Sequence, residues 1–138
     1  MRMFAHINDM AVVVTAILAL AVGSIWYSPL LFGFQWMKAA GLQTHDLDEQ
    51  RARMMTMLFM GLASHIGFFY ALALVLEKAQ TLGITILATI GTVLSLCGAL
   101  LISMTVWEGK SLSYFAIHIG YAAIIILGGS AVITYWPW

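Results

Sequence analysis

Polar positions along this chain fall into a few short clusters, separated by stretches apolar on every face of a helix. Four of these stretches can cross a hydrocarbon core about 30 Å thick, which takes roughly 20 helical residues. They predict helices over about 8–27, 54–76, 82–107 and 111–136. A fifth apolar segment, 30–41, is too short to cross; its aromatics, Gln35 and Lys38 suit a half-buried helix lying along the interface. The break before it falls at Pro29, which cannot continue a helix ladder and biases Ser28 away from helical dihedrals. Asn8 and Asp9 open the first helix, where side-chain oxygens accept from free backbone amides. Asp46, followed three residues later by Glu49, reads as a capping box that starts the second helix in water. Arg51 and Arg53 then precede its apolar part, which begins near Met54. Glu77-Lys78 closes that helix, and Glu108-Gly109-Lys110 makes the last tight corner. The fold class is all-α: a single four-helix transmembrane domain with an interfacial segment after the first helix.

Composition agrees. Of 138 residues, 62% are hydrophobic and 9% are charged, whereas soluble domains run near a quarter charged. The solvent for most of the chain is lipid. A net charge of zero leaves no electrostatic footprint for nucleic acid. The single cysteine, Cys97, lies inside an apolar span, where it packs as a small hydrophobe and has no partner for an intrachain disulfide. One base, Arg2, precedes the first apolar run, which is long for a secretory signal and is read as an uncleaved helix.

Aromatic residues gather at two levels. Trp26, Tyr27, Trp36 and Trp107 fall at one interface, and Phe4, Tyr135, Trp136 and Trp138 at the other, as four crossings require. Lys38, Arg51, Arg53 and Lys110 lie on the first side, against Arg2 and Lys78 on the second. The positive-inside bias then puts both termini outside the cytoplasm.

Each long helix carries small residues at intervals of about one turn. Ala11, Thr15, Ala19 and Gly23 form the first stripe, Ala63, Gly67 and Ala71 the second, and Gly91, Ser95, Ala99 and Ser103 the third. Gly120 and the pair Gly128-Gly129 serve the fourth helix. Lipid supplies no hydrophobic force between helices, so close backbone approach is what stabilises their contact. Gly23, Gly67, Gly91 and Gly120 are the helix-contact candidates.

Several motifs coincide with a known family. Trp26-Tyr27-Ser28-Pro29-Leu30-Leu31-Phe32-Gly33, followed by Trp36-Met37 and Gly41-Leu42, resembles a bacterial membrane family called domain of unknown function 1761. Trp107-Glu108-Gly109-Lys110, then Phe115, Ile117 and Gly120-Tyr121, is similar to its second block. Trp26, Tyr27, Pro29, Gly33 and Trp36 carry most of the likeness. The resemblance implies a small four-helix membrane protein. It implies no substrate, cofactor or catalytic residue.

For chemistry, ionisable residues deep in a span are functional candidates by default. His65 lies roughly 16 Å and His118 roughly 9 Å in from the same side, at about 1.5 Å per residue. Glu108 stands at the corner before His118. The first reading is structural: each neutral histidine hydrogen-bonds a serine, a tyrosine or a backbone carbonyl across helices. A second makes Glu108, His118 and His65 a polar path for protons or a small solute. A third takes the two histidines as axial ligands of a haem. A metal site with Glu108 has no supporting ligand spacing, and the methionines at 54, 55, 57 and 60 read as packing. No hydrolase elbow, phosphate loop, dinucleotide fingerprint or zinc-protease helix is present. The expected function is therefore non-enzymatic and without cofactor. The chain associates through its helices, as a homo-oligomer or as an accessory subunit of a larger membrane complex. The alternatives are a small oligomeric transporter or channel and a bis-histidine haem protein.

Overall fold

The computed structural model describes residues 7–42 and 53–137. They form five helices and no strand: α1 Asp9–Trp26, α2 Gly33–Ala40, α3 Met54–Thr81, α4 Ile86–Trp107 and α5 Leu112–Thr134. Four of them, α1, α3, α4 and α5, are long and apolar enough to cross a membrane, and α2 is the short segment between the first two. The capping box at Asp46 and Glu49 lies outside the described residues, as do Arg2, Phe4, Arg51 and Trp138.

Local chemistry sets the helix starts. The Asn8 side chain accepts from the Ala11 N–H at 3.0 Å, so the expected cap of α1 is made by Asn8. Thr85 and Ser111 cap α4 and α5 in the same way, each accepting at 3.3 Å from the amide three residues on. Two boundaries lie furthest from expectation. The α3 helix passes Glu77 and Lys78 and ends at Thr81. The chain then turns at Gly83, in the left-handed region at φ 73°, and α4 begins only at Ile86.

The α5 helix touches each of the other four. Alongside it α1 packs on α3, and α4 lies against α5 and α3. The core runs along the α1–α3 seam, where Val12, Ala16 and Ala19 meet Phe69, Leu72, Ala73 and Leu76. Phe69 is fully buried because Gly129 of α5 leaves room for it; a Cβ at 129 would overlap the Phe69 ring and the Thr15 methyl. Thr15 disposes of its own buried hydroxyl by donating to the Ala11 carbonyl at 2.6 Å. Outward faces stay apolar, with Met55 and Phe59 on α3 and Leu87, Leu96 and Leu100 on α4 all exposed. Lipid explains that; water does not.

Candidate functional site

At the end of α1 the chain reverses in a tight knot. The Phe32 N–H donates to the Trp26 carbonyl at 3.0 Å, and the Gly33 N–H donates to the Ser28 carbonyl at 2.9 Å. The strand of backbone entering α2 therefore lies directly on the backbone leaving α1. A Cβ on Gly33 would stand 2.6–2.7 Å from the Ser28 and Tyr27 backbone, so only glycine fits. Lys110 holds the other end of α2, its Nζ donating to the Ala40 carbonyl at 2.6 Å. The effect is to aim three aromatic side chains inward.

Trp26 lies across Gly120 of α5, where a Cβ would come within 3.1 Å of its ring, and its Nε1–H donates to the Ile117 carbonyl at 3.1 Å. Tyr27 Oη is 2.8 Å from His118 Nδ1. Its ring stands edge-on to both Trp36 and Tyr121, at centroid separations of 5.6 and 5.5 Å. Burial, then the neighbouring phenols Tyr121 and Tyr114, push the Tyr27 hydroxyl up from its ordinary value. It stays protonated and donates to His118 Nδ1, which leaves the proton of a neutral His118 on Nε2. The Tyr114 ring packs edge-on against the His118 imidazole, one turn back on α5, at 4.3 Å.

The second histidine is held by a different set. His65 Nδ1–H donates to the Gly61 carbonyl at 2.6 Å, and Nε2 is 2.8 Å from Tyr121 Oη. The Tyr121 hydroxyl reaches the Ala19 carbonyl of α1 at 2.9 Å. Gly23 permits this, since a Cβ there would be 3.0 Å from the same hydroxyl. One imidazole and one phenol thus tie α1, α3 and α5 together. The proton count is informative. Gly61 and Ala19 offer only acceptors, so three contacts share the two protons of a neutral pair. The Tyr121 proton divides between His65 Nε2 and the Ala19 carbonyl.

His65 and His118 therefore belong to one cluster, through Tyr121 and Tyr27 rather than by direct contact. Both line a cavity of about 430 Å³ with Tyr27, Trp36, Met57 and Tyr121. Glu108 is not part of it. It is exposed at the C-cap of α4, and no hydrogen bond or ion pair joins it to either histidine among the described residues. With both ring nitrogens of His65 engaged, ligation of a haem iron there requires one of the two bonds to be given up. The expected polar line thus keeps its two histidines, loses its carboxylate and gains two tyrosines. Tyr27 read as an interfacial aromatic in the sequence; the spacing of Tyr114, His118 and Tyr121 was the available signal for the α5 half.

The helix-contact candidates divide. Gly23 and Gly120 lie under Tyr121 and Trp26, whereas a Cβ at Gly67 or Gly91 meets nothing within 4 Å. Gly129 packs on Phe69 and Gly128 faces open space.

Four apolar spans, a half-buried histidine–tyrosine cluster among α1, α3 and α5, and a short helix folded back after α1 define a small polytopic membrane protein. The family model described as "Protein of unknown function (DUF1761)" matches residues 10–134, and the chain belongs to that family. Neither the curated proteins nor the solved structures contain a match to it.

Proposed function

We propose that this chain is a non-enzymatic membrane protein that works by helix-mediated association, with copies of itself or as an accessory subunit of a larger complex. One observation carries the reading. The small-residue stripe of α1 is used up inside the chain, with Ala11, Thr15 and Ala19 buried. Those of α3 and α4 are left outside: Ala63, Gly67 and Ala71, and Gly91, Ser95, Ala99 and Ser103, are all exposed. Lipid tails gain little from a smooth helix face, while a second helix gains close backbone approach. In this reading the chain sits in a bacterial inner membrane with both ends outside the cytoplasm, following its basic residues. Chemical cross-linking in native membranes, followed by blue-native electrophoresis in mild detergent, tests it. Oligomers or a co-purifying partner are expected, and Gly67→Leu with Gly91→Leu should weaken them. A strictly monomeric species, alone in the membrane, would remove the proposal.

The half-buried cluster favours a second reading, a small oligomeric transporter or channel in which protons or a small solute use the His65–Tyr121 and Tyr27–His118 pairs. Here His65→Leu abolishes flux in liposomes while the fold persists. Unchanged flux would eliminate it.

A further inference from the structure

The end of α1, the short α2, the start of α3 and the middle of α5 surround the cavity of about 430 Å³, whose size falls within the range of small-molecule sites. Its lining is uneven. On α3 it is bounded by Met54, Met57 and Leu58, all exposed, so the cavity opens on this side. Most of the rest is made of rings: Tyr27, Trp36, Tyr121 and the two imidazoles, all half-buried. A molecule entering from the α3 side therefore passes thioether and aliphatic side chains before it meets aromatic surface.

What this lining offers a ligand follows from its hydrogen bonds. The Tyr27 hydroxyl is spent on His118, the Tyr121 hydroxyl on His65 and the Ala19 carbonyl, and His65 Nδ1–H on the Gly61 carbonyl. Ser24, the remaining hydroxyl of the lining, donates to the Leu20 carbonyl at 2.9 Å. The other two N–H groups, Trp36 Nε1 and His118 Nε2, are fully buried and present no surface. Among the described residues of the lining no donor is left for a ligand, and with neutral histidines none is charged. A carbonyl, phosphate or carboxylate gives up its water there for nothing in return. Aromatic faces also attract cations. Here, however, Lys38 follows Trp36 by two residues, Arg53 directly precedes Met54, and no carboxylate lines the cavity among the described residues. What remains is π surface and sulfur. Rings gain from edge-to-face contact with rings, and from sulfur at their edge, beyond the area they bury. A saturated chain collects neither gain.

We propose that this cavity binds a neutral apolar molecule built on aromatic rings, with no hydrogen-bonding group to satisfy. The ligand ring lies between the methionines of α3 and the aromatic side chains of α1, α2 and α5. The proposal deepens the transport reading, on which it rests for its use, by giving the histidine–tyrosine cluster a class of solute.

The test uses the full-length protein in phosphatidylcholine nanodiscs, with 4-fluorobiphenyl as the probe and fluorine NMR as the readout. Protein-free nanodiscs give the signal of probe dissolved in lipid. With the protein a second, saturable signal is expected, and Met57→Trp, which fills the mouth of the cavity, should remove it. Met54→Leu with Met57→Leu conserves volume and removes both sulfurs, so affinity should fall about fivefold. This double variant carries the test if Met57→Trp fails to fold by circular dichroism. Displacing the probe should take about tenfold more dodecane than biphenyl. Equal displacement by the two would assign the cavity to lipid chains and overturn the proposal. A signal that never saturates would overturn it too, as would saturable binding of the same affinity in wild type and both variants. Flux in liposomes is read separately. Saturable binding without flux removes the transport reading alone, and flux without binding removes this proposal alone.

Discussion

Tyr121 shows how much one hydroxyl does in this fold. It reaches His65 on α3 and the Ala19 carbonyl on α1 from its own place on α5. Tyr121→Phe keeps the ring and removes both contacts, and should destabilise the protein by about 1 kcal/mol, the scale of polar contacts between membrane helices. Gly23→Ala should act through the same hydroxyl, because the new Cβ lies 3.0 Å from it in the unrelaxed structure. If the two substitutions share that cause, the double variant loses less than the sum of the single losses. Thermal unfolding followed by intrinsic fluorescence measures all three. At Gly129→Ala the Cβ has the Phe69 ring and Thr15 in its way, so overpacking of about 1–3 kcal/mol is expected. Part of this was legible in the sequence. The Ala11–Thr15–Ala19–Gly23 stripe gave the buried face of α1, since small residues one turn apart select a contact face without knowledge of the partner. That Gly129 rather than Gly128 makes the contact depends on rotation of α5, which no spacing encodes.

At the scale of elements, the segment joining α1 to α2 is fixed by backbone more than by side chains. Pro29 gave the position of the break, but the return of Gly33 onto Ser28 is a tertiary fact. Gly33→Ala cannot be absorbed by a side-chain shift, because the atoms in its way are the Ser28 and Tyr27 backbone. It should detach α2 and carry Tyr27 away from His118. The expected readout is a gain in solvent quenching of Trp36 together with a lower melting temperature; an unchanged Trp36 environment would contradict the account. Helix ends were less legible than helix existence. Glu77 and Lys78 looked like a stop because charge is costly in lipid, yet α3 runs on through both to Thr81. Asn8 marked its start more faithfully, because an N-cap acts on local amides alone, whereas the expected start of α4 at 82 passes over the Thr85 cap and the start at Ile86.

For the whole molecule, the physical claim is that four apolar helices cross lipid and that their histidines pair with tyrosines between the helices. The histidines were placed on the right helices and on the same side of the bundle by counting residues. What counting could not supply was the pair of tyrosines between them, or the outward turn of Glu108, because both depend on helix rotation. Outward exposure of the α3 and α4 stripes, with apolar surface around them, is the ground on which association is proposed. All of it presupposes the crossings. They are tested most directly by replacing Cys97 with serine and placing single cysteines at Arg53, Glu108, Leu82 and Pro137 in sealed vesicles. The account predicts that an impermeant maleimide labels positions 53 and 108 from one side and 82 and 137 from the other. Any other partition of these four sites would contradict it.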